Sequence, residues 1–150
     1  MDQRTRILDA AVKHFATHGY RRSTLEGVAA ELGLGKTALY YYFKNKRDLF
    51  KAVAEREGDI DIARLKEAVR AARDPRAQMR AFCRTRILIT MDKVRVHQVT
   101  ERVHKEVLEM FHRLEVSFFA REAEILAGIL GDGVRAKVFR KVDTALAVPL

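Results

Sequence analysis

The stretch that decides the fold is residues 23–46, which read STLEGVAAELGLGKTALYYYFKNK. It contains two short helical patterns separated by Gly33-Leu34-Gly35. Ser23, followed three residues later by Glu26, is typical of a capping box and predicts that the first helix begins there. Glycine permits a tight turn after it, and the second helix is predicted over about 36–43. Two short helices joined in this way predict a helix-turn-helix.

Each of the two predicted helices has an inner and an outer face. Leu39 and Phe43 lie four residues apart, so that both would face the first helix and hold the second against it. Val28, Ala29 and Leu32 supply the inner face of the first helix. The outer side of the second helix is left with Thr37, Ala38, Tyr40, Tyr41 and Lys44. A slender, polar outer face is what a helix needs to enter the major groove of DNA.

The remainder of the chain predicts further helices and no strands. Apolar residues recur at intervals of three and four, and no alternating run bounded by turn residues occurs. Before the motif, a helix is predicted over about 2–18, with Gly19 as its stop. After the motif, helices are predicted over about 46–73 and, starting at Asp74-Pro75, over about 74–92.

The C-terminal part is also predicted to be helical. The pattern is helical over 94–130 with one break near His104, Gly131-Asp132-Gly133 predicts a turn, and a final helix would begin near Val134. The predicted fold class is therefore all-α. A three-helix DNA-binding domain over 1–46 would precede a helical effector-binding and dimerisation domain over 47–150.

Composition narrows the class of protein. The 150 residues carry 29 Lys and Arg against 20 Asp and Glu, a formal charge of +9, and a single Cys. One Cys excludes an intramolecular disulfide and fits a reducing compartment. No apolar run approaches the roughly 18 residues of a membrane span, and the N-terminus lacks the features of a signal peptide. These features predict a soluble, cytoplasmic protein with an anionic partner.

The distribution of charge favours the first third of the chain as the region that meets this partner. Residues 1–56 carry a net charge of +5 and residues 57–150 a net charge of +4. The first third therefore has about twice the charge density of the rest, as expected where a protein touches a polyanion. Charge alone leaves nucleic acid and an acidic membrane both open, whereas the helix-turn-helix favours double-stranded DNA.

Residues 23–46 resemble the TetR family of transcriptional regulators. Residues 7–11 (ILDAA) and 15–20 (FATHGY) are similar to the first helix of that family, and 48–50 (DLF) to the start of its fourth. The resemblance is specific over about the first 55 residues; beyond them it is a helical layout only. It implies a homodimer that represses transcription from a near-palindromic operator and responds to a small, apolar effector.

The resemblance also implies which residues contact DNA. Ser23 and Thr24 would cap the first helix of the motif and hold a phosphate, while Lys36 and Thr37 would reach base edges. Tyr41 would face the groove, and Tyr40 would serve partly in packing and partly in contact. The remaining two implied contacts, both to backbone phosphates, are Tyr42 and Lys46.

The second domain gives weaker signals. A ligand cavity between its helices is predicted from mid-sized apolar residues with a few polar anchors. Its candidate lining is Phe82, Ile87, Met91, His97, Thr100, His104, Met110, Phe111 and Leu114. The alternative interpretation is that these residues form an ordinary core.

No metal site and no cofactor are predicted. His97, Glu101 and His104 share a helix face by spacing, which is more typical of a polar stripe than of a metal site. No Ser-His-Asp grouping, Gly-rich phosphate loop or zinc-ligand spacing favours an enzyme.

Two expectations concern the whole protein. The leading hypothesis is a ligand-responsive regulator, and the alternative is an architectural or weakly specific DNA-binding protein without an effector. TetR-family chains usually continue through two long C-terminal helices that pair across the dimer. The sequence is therefore expected to be truncated at residue 150.

Overall fold

The computed structural model describes residues 2–97, 103, 105–106, 109–110 and 118–141, with the backbone alone for 94–97. The helices are α1 (Gln3–Arg22), α2 (Leu25–Glu31), α3 (Lys36–Tyr42), α4 (Lys46–Arg70), α5 (Pro75–His97) and α6 (Phe118–Arg135). The described residues contain no strand, so the predicted all-α class is confirmed. Helix α5 runs five residues past its predicted end. None of the described helices is both long and apolar enough to span a lipid bilayer.

Helix α1 extends beyond its predicted end at residue 18. The Asp2 carboxylate caps its N-terminus by accepting a 2.6 Å hydrogen bond from the Thr5 backbone N–H, and this bond lowers the pKa of Asp2. Gly19 has a φ of 77° and interrupts the helical backbone, as the sequence predicted. Helical hydrogen bonding nevertheless resumes and continues to Arg22.

The N-terminus of α2 corrects the predicted capping box. Thr24, not Ser23, is the N-cap, and its Oγ1 accepts a 3.0 Å hydrogen bond from the Gly27 backbone N–H. The Ser23 hydroxyl is buried and donates instead to the Gly19 carbonyl at 2.6 Å. Because α1 is interrupted at Gly19, this carbonyl is available to accept a hydrogen bond. The sequence around Ser23 does not reveal that the carbonyl competes with the start of α2 for the Ser23 hydroxyl.

The turn between α2 and α3 is a Schellman motif. Gly33 has a φ of 66°, which only glycine adopts without strain. The Leu34 N–H bonds to the Ala29 carbonyl at 2.9 Å and the Gly33 N–H to the Ala30 carbonyl at 3.1 Å. The predicted glycine turn is confirmed.

The structure divides into two compact units. The first comprises Met1–Glu57 and Asp92–Val116, the second Gly58–Met91 and Ser117–Leu150, each as far as it is described. The division falls inside α4, later than the predicted domain boundary after residue 46. The reason is that the first turns of α4 belong to the N-terminal core. That core contains Ile7, Leu8, Ala11, Phe15, Leu25, Val28, Ala29, Leu39, Phe43, Leu49, Phe50, Val53, Ala54 and Met110.

The second unit has its own apolar interior. Its buried side chains are Ile62, Leu65, Phe82, Ile89, Phe118 and Ile129. Gly58 lies in the middle of α4, where glycine weakens a helix by about 1 kcal/mol. A Cβ at this position would lie 3.2 Å from Cδ2 of Phe118, so glycine here permits the close approach of α6.

The end of α6 corrects the predicted turn at residues 131–133. These residues are helical, and the helix ends at Arg135. The Val138 and Phe139 N–H groups both bond to the Gly133 carbonyl, at 2.8 and 3.0 Å. The Phe139 ring covers Gly133 so closely that a Cβ there would overlap it. The glycine therefore accommodates an aromatic ring at the helix end, and the predicted final helix from Val134 is wrong as far as residue 141.

Candidate nucleic-acid interface

Helix α3 is fixed by two buried residues and exposes the rest of its surface. Leu39 is fully buried and Phe43 is 5% exposed, as the four-residue spacing predicted. On the opposite side Tyr41 is 84% exposed, so that its apolar ring as well as its hydroxyl faces solvent. A seven-residue helix is too short to be stable by itself. Its orientation therefore depends on the two anchors.

The exposed side of α3 brings together five of the eight predicted DNA contacts. Lys36 and Thr37 lie in the first turn and are exposed. Tyr40 is 42% and Tyr42 37% exposed, and the Tyr42 ring packs edge-on against Tyr41 with ring centroids 5.1 Å apart. This surface combines a cation, a hydroxyl and aromatic faces, which are groups that contact bases and phosphates.

Lys36, the cation on this surface of α3, forms an ion pair with Glu26. Lys36 Nζ lies 2.9 Å from Glu26 Oε1 on α2, and the Tyr40 hydroxyl donates to the same oxygen at 3.2 Å. The hydrogen bond from Lys36 lowers the pKa of Glu26, and the carboxylate in turn raises the pKa of Lys36. Because the pKa of Glu26 is lowered, the ion pair is present at every pH above the usual pKa of a glutamate. It is lost only as the pH falls through the lowered pKa. The pair is therefore intact at neutral pH.

We expect Glu26→Gln to strengthen DNA binding. The amide retains the size of the side chain and an acceptor for Tyr40, but it removes a negative charge that competes with phosphate for Lys36. Roughly fivefold higher affinity at low salt is expected from unit charges a few ångströms apart in water. Fluorescence anisotropy with a labelled duplex measures it.

Glu55→Gln is the matched control, because Glu55 forms an exposed pair with Lys51 on α4. Equal gains from both substitutions would show that only net charge matters and that the contact to Lys36 has no specific role.

A shallow groove of about 250 Å³ lies between the start of α2 and the end of α3. It is lined by Ser23, Thr24, Leu25, Glu26, Tyr40, Lys44, Asn45 and Lys46. The Thr24 side chain is exposed, whereas Ser23 is 1% exposed and its hydroxyl already donates to Gly19. Of the two predicted phosphate-holding hydroxyls, only that of Thr24 lies at the surface.

The Lys46 side chain has hydrogen-bond partners within the protein. Its Nζ donates to the Tyr20 carbonyl at 2.8 Å and to the Arg21 carbonyl at 3.3 Å, and it lies 4.5 Å from the Tyr20 ring centroid. These contacts cap the end of α1 with a cation. Lys44 is exposed and lines the same groove. The sequence predicts that it faces outward, although the resemblance does not include it among the DNA contacts.

We expect Lys44→Met and Lys46→Met to separate these two roles. Losing a phosphate contact lowers the slope of log affinity against log salt by about one. Lys44→Met should show that change without loss of stability. Lys46→Met should change the slope less and lower the free energy of unfolding by about 1 kcal/mol, because it removes hydrogen bonds to α1. Salt titrations and urea unfolding of both variants provide the measurements, and the reverse pattern would contradict these assignments.

Four of the predicted ligand-pocket residues have described side chains, two of them buried and two exposed. Phe82 is buried in the second unit, and Met110 is in the core of the first. Ile87 and Met91 are 59% and 61% exposed. At 100° per residue they lie about 140° and 180° around α5 from Phe82, so the helix buries a different face. Thr100, His104, Phe111, Leu114 and the side chain of His97 lie outside the described residues.

Comparison with known proteins identifies the motif. Residues 7–53 match the model of the bacterial regulatory proteins, tetR family. These residues carry the N-terminal domain of the TetR family. The relatives of this chain are transcriptional regulators of the helix-turn-helix type and not enzymes.

Two relatives show how far the TetR-family likeness extends. An uncharacterized HTH-type transcriptional regulator, YhgD of Bacillus subtilis, is 23% identical over 97% of this chain and 76% of its own length. The HTH-type transcriptional regulator RutR of Escherichia coli K12 is 36% identical, over 57% of this chain and 40% of its own length. The higher sequence identity, that with RutR, therefore extends over only 57% of this chain.

Two solved structures of transcriptional regulators share the fold over most of the chain. PfmR of Thermus thermophilus is 27% identical with a TM-score of 0.70, covering 95% of this chain and 78% of that one. FadR of Bacillus subtilis, solved in complex with stearoyl-CoA, is 23% identical with a TM-score of 0.64, over 95% and 77%. The second likeness is one of fold alone.

Proposed function

We propose that the chain is a repressor that binds a near-palindromic operator as a homodimer and is modulated by a small apolar effector. The observation that carries the DNA-binding part is the construction of α3. Leu39 and Phe43 fix the helix from inside, so that Lys36, Thr37 and Tyr41 face outward from a rigid support. Rigid support of a reading surface is what sequence-specific binding requires.

In the proposed complex, different residues supply sequence preference and general affinity. Thr37 would contribute a methyl for thymine and a hydroxyl for a base edge, with Lys36 and Tyr41 beside it. Thr24, Tyr42 and Lys44 would contact phosphates, which position the protein on any sequence. Lys46 would act indirectly by holding α1 against the motif through its carbonyl contacts.

Likeness to TetR-family regulators supports the proposed dimer and effector. A two-fold dimer places two α3 helices on half-sites about 34–36 Å apart, or a multiple of that distance. An effector that binds better to a dimer with a different distance between its two α3 helices weakens operator binding. The operator weakens effector binding by the same factor. FadR of Bacillus subtilis, which was solved in complex with stearoyl-CoA, supports an apolar effector.

Binding to DNA from upstream of the protein's own gene tests the proposal. The expected result is a footprint with two-fold symmetry and an affinity at least about 10³ times that for an unrelated duplex at physiological salt. Steep salt dependence without sequence preference would instead indicate an architectural binder.

The effector is tested separately, by adding stearoyl-CoA and shorter apolar acyl compounds to the protein–operator complex. A fall in operator affinity, matched by reciprocal weakening of effector binding, supports regulation. Unchanged operator affinity with every compound would remove the apolar effector from the proposal and leave DNA binding standing.

A further inference from the structure

Two histidines and a glutamate converge on the first unit, outside the surface of α3. His14 and His18 lie on α1, and Glu31 is the last residue of α2. His14 Nδ1 lies 2.5 Å from Glu31 Oε1, and the two imidazole rings have centroids 4.5 Å apart. One potential ligand atom from each residue lies within 4.8 Å of the others.

The packing of this unit holds the three residues in place. A spacing of four residues puts both histidines on the same face of α1. His14 is 8% exposed, and its ring lies so close to Gly27 of α2 that a Cβ there would be 2.8 Å from Cε1. Glycine at this position lets α2 approach the ring and brings Glu31 to it. His18 and Glu31 are exposed, so an ion can reach the cluster from solvent.

We propose that His14, His18 and Glu31 form a binding site for a divalent transition metal ion, with Zn²⁺ as the best match. Two imidazoles and one carboxylate are ligands that Zn²⁺ takes at about 2.0–2.2 Å. Hard ions such as Mg²⁺ and Ca²⁺ prefer oxygen ligands. Contraction of the ligand atoms around one ion requires rotation of the exposed His18 and Glu31 side chains. Three protein ligands leave one tetrahedral position for water or another donor.

A metal ion at this site would connect α1 to the end of α2, directly before the Gly33 turn. It would add a link between the helix that supports the motif and the helix that precedes α3. The site is independent of the operator and the effector, because metal binding is measurable on the protein alone.

Isothermal titration of the full chain with Zn²⁺, together with the visible absorption of the Co²⁺ complex, tests the site. The expected result is one ion per chain, with affinity at least about tenfold lower in His18→Gln and in Glu31→Gln. Glu55→Gln removes the same charge as Glu31→Gln at an exposed position of α4. It is the matched control and should bind as the unaltered chain does. Both test positions are exposed, and thermal unfolding without metal checks that each variant is folded.

Thermal unfolding with Zn²⁺ gives a second measurement. Saturating ion should raise the Tm of the unaltered chain by roughly 5 °C, and His18→Gln should remove most of that rise. The proposal is overturned if the unaltered chain does not bind Zn²⁺, or if both variants bind it as tightly. Equal loss of affinity in Glu55→Gln would show that net charge, and not these three ligands, governs binding, which would also overturn the proposal.

Discussion

Replacing Leu39 with alanine is expected to lower the free energy of unfolding by about 3 kcal/mol and to abolish operator binding. Leu39 is fully buried beneath α3, and removing a buried leucine side chain costs about 2–5 kcal/mol. The effect on DNA binding should exceed the effect on stability, because a helix of seven residues keeps its position only through tertiary contacts. Urea unfolding and fluorescence anisotropy with operator DNA measure the two losses.

Leu39→Met is the matched control, since it nearly conserves volume and should cost less than about 1.5 kcal/mol. Operator binding should then largely be retained. If Leu39→Ala left stability within about 0.5 kcal/mol of the unaltered chain, as for an ordinary surface position, the core position of this residue would be wrong.

Replacing Tyr41 with alanine is expected to lower operator affinity and to leave the free energy of unfolding almost unchanged. The side chain is 84% exposed, so the free energy of unfolding should change by less than about 0.5 kcal/mol. Operator affinity should fall roughly tenfold to a hundredfold, the range for losing one base-reading contact. Affinity for an unrelated duplex should fall less, because that binding depends on phosphate contacts.

Tyr41→Phe separates the ring from the hydroxyl. Retained affinity would indicate stacking or apolar contact, and a loss as large as that of alanine would indicate a hydrogen bond to DNA. Equal operator affinity of Tyr41→Ala and the unaltered chain would show that this exposed face of α3 does not read the groove.

The helix-turn-helix was predictable from sequence because its determinants are local. Gly33 needs a positive φ, and Leu39 and Phe43 repeat at helical spacing, so neighbours in the chain carry the signal. The exposed positions Thr37 and Tyr41 follow from the same spacing. These predictions required no knowledge of how α1 or α4 pack.

The positions of Ser23 and Lys46 were not predictable in this way. Both side chains bond to backbone carbonyls at the end of α1, Ser23 to Gly19 and Lys46 to Tyr20 and Arg21. A carbonyl becomes available only where the helix is interrupted, and side-chain type alone does not reveal it. The family resemblance assigned both residues to phosphate, whereas the structure gives them partners within the protein.

The cluster of His14, His18 and Glu31 was also not predicted. The spacing of the two histidines is a visible signal, but Glu31 lies 17 residues from His14. The close approach of α2 that brings it there depends on the absence of a side chain at Gly27.

The sequence by itself determined the helical class, the motif and its outward face, because helix periodicity, glycine conformation and charge act over a few residues. Only the tertiary structure decided which polar groups remain available. It paired Lys36 with Glu26, directed Lys46 to α1, kept Gly131 and Gly133 within α6, and exposed Ile87 and Met91 on α5. The contacts of Lys36 and Lys46 depend on partners that lie on other helices, and burial of apolar surface in the core brings those helices together.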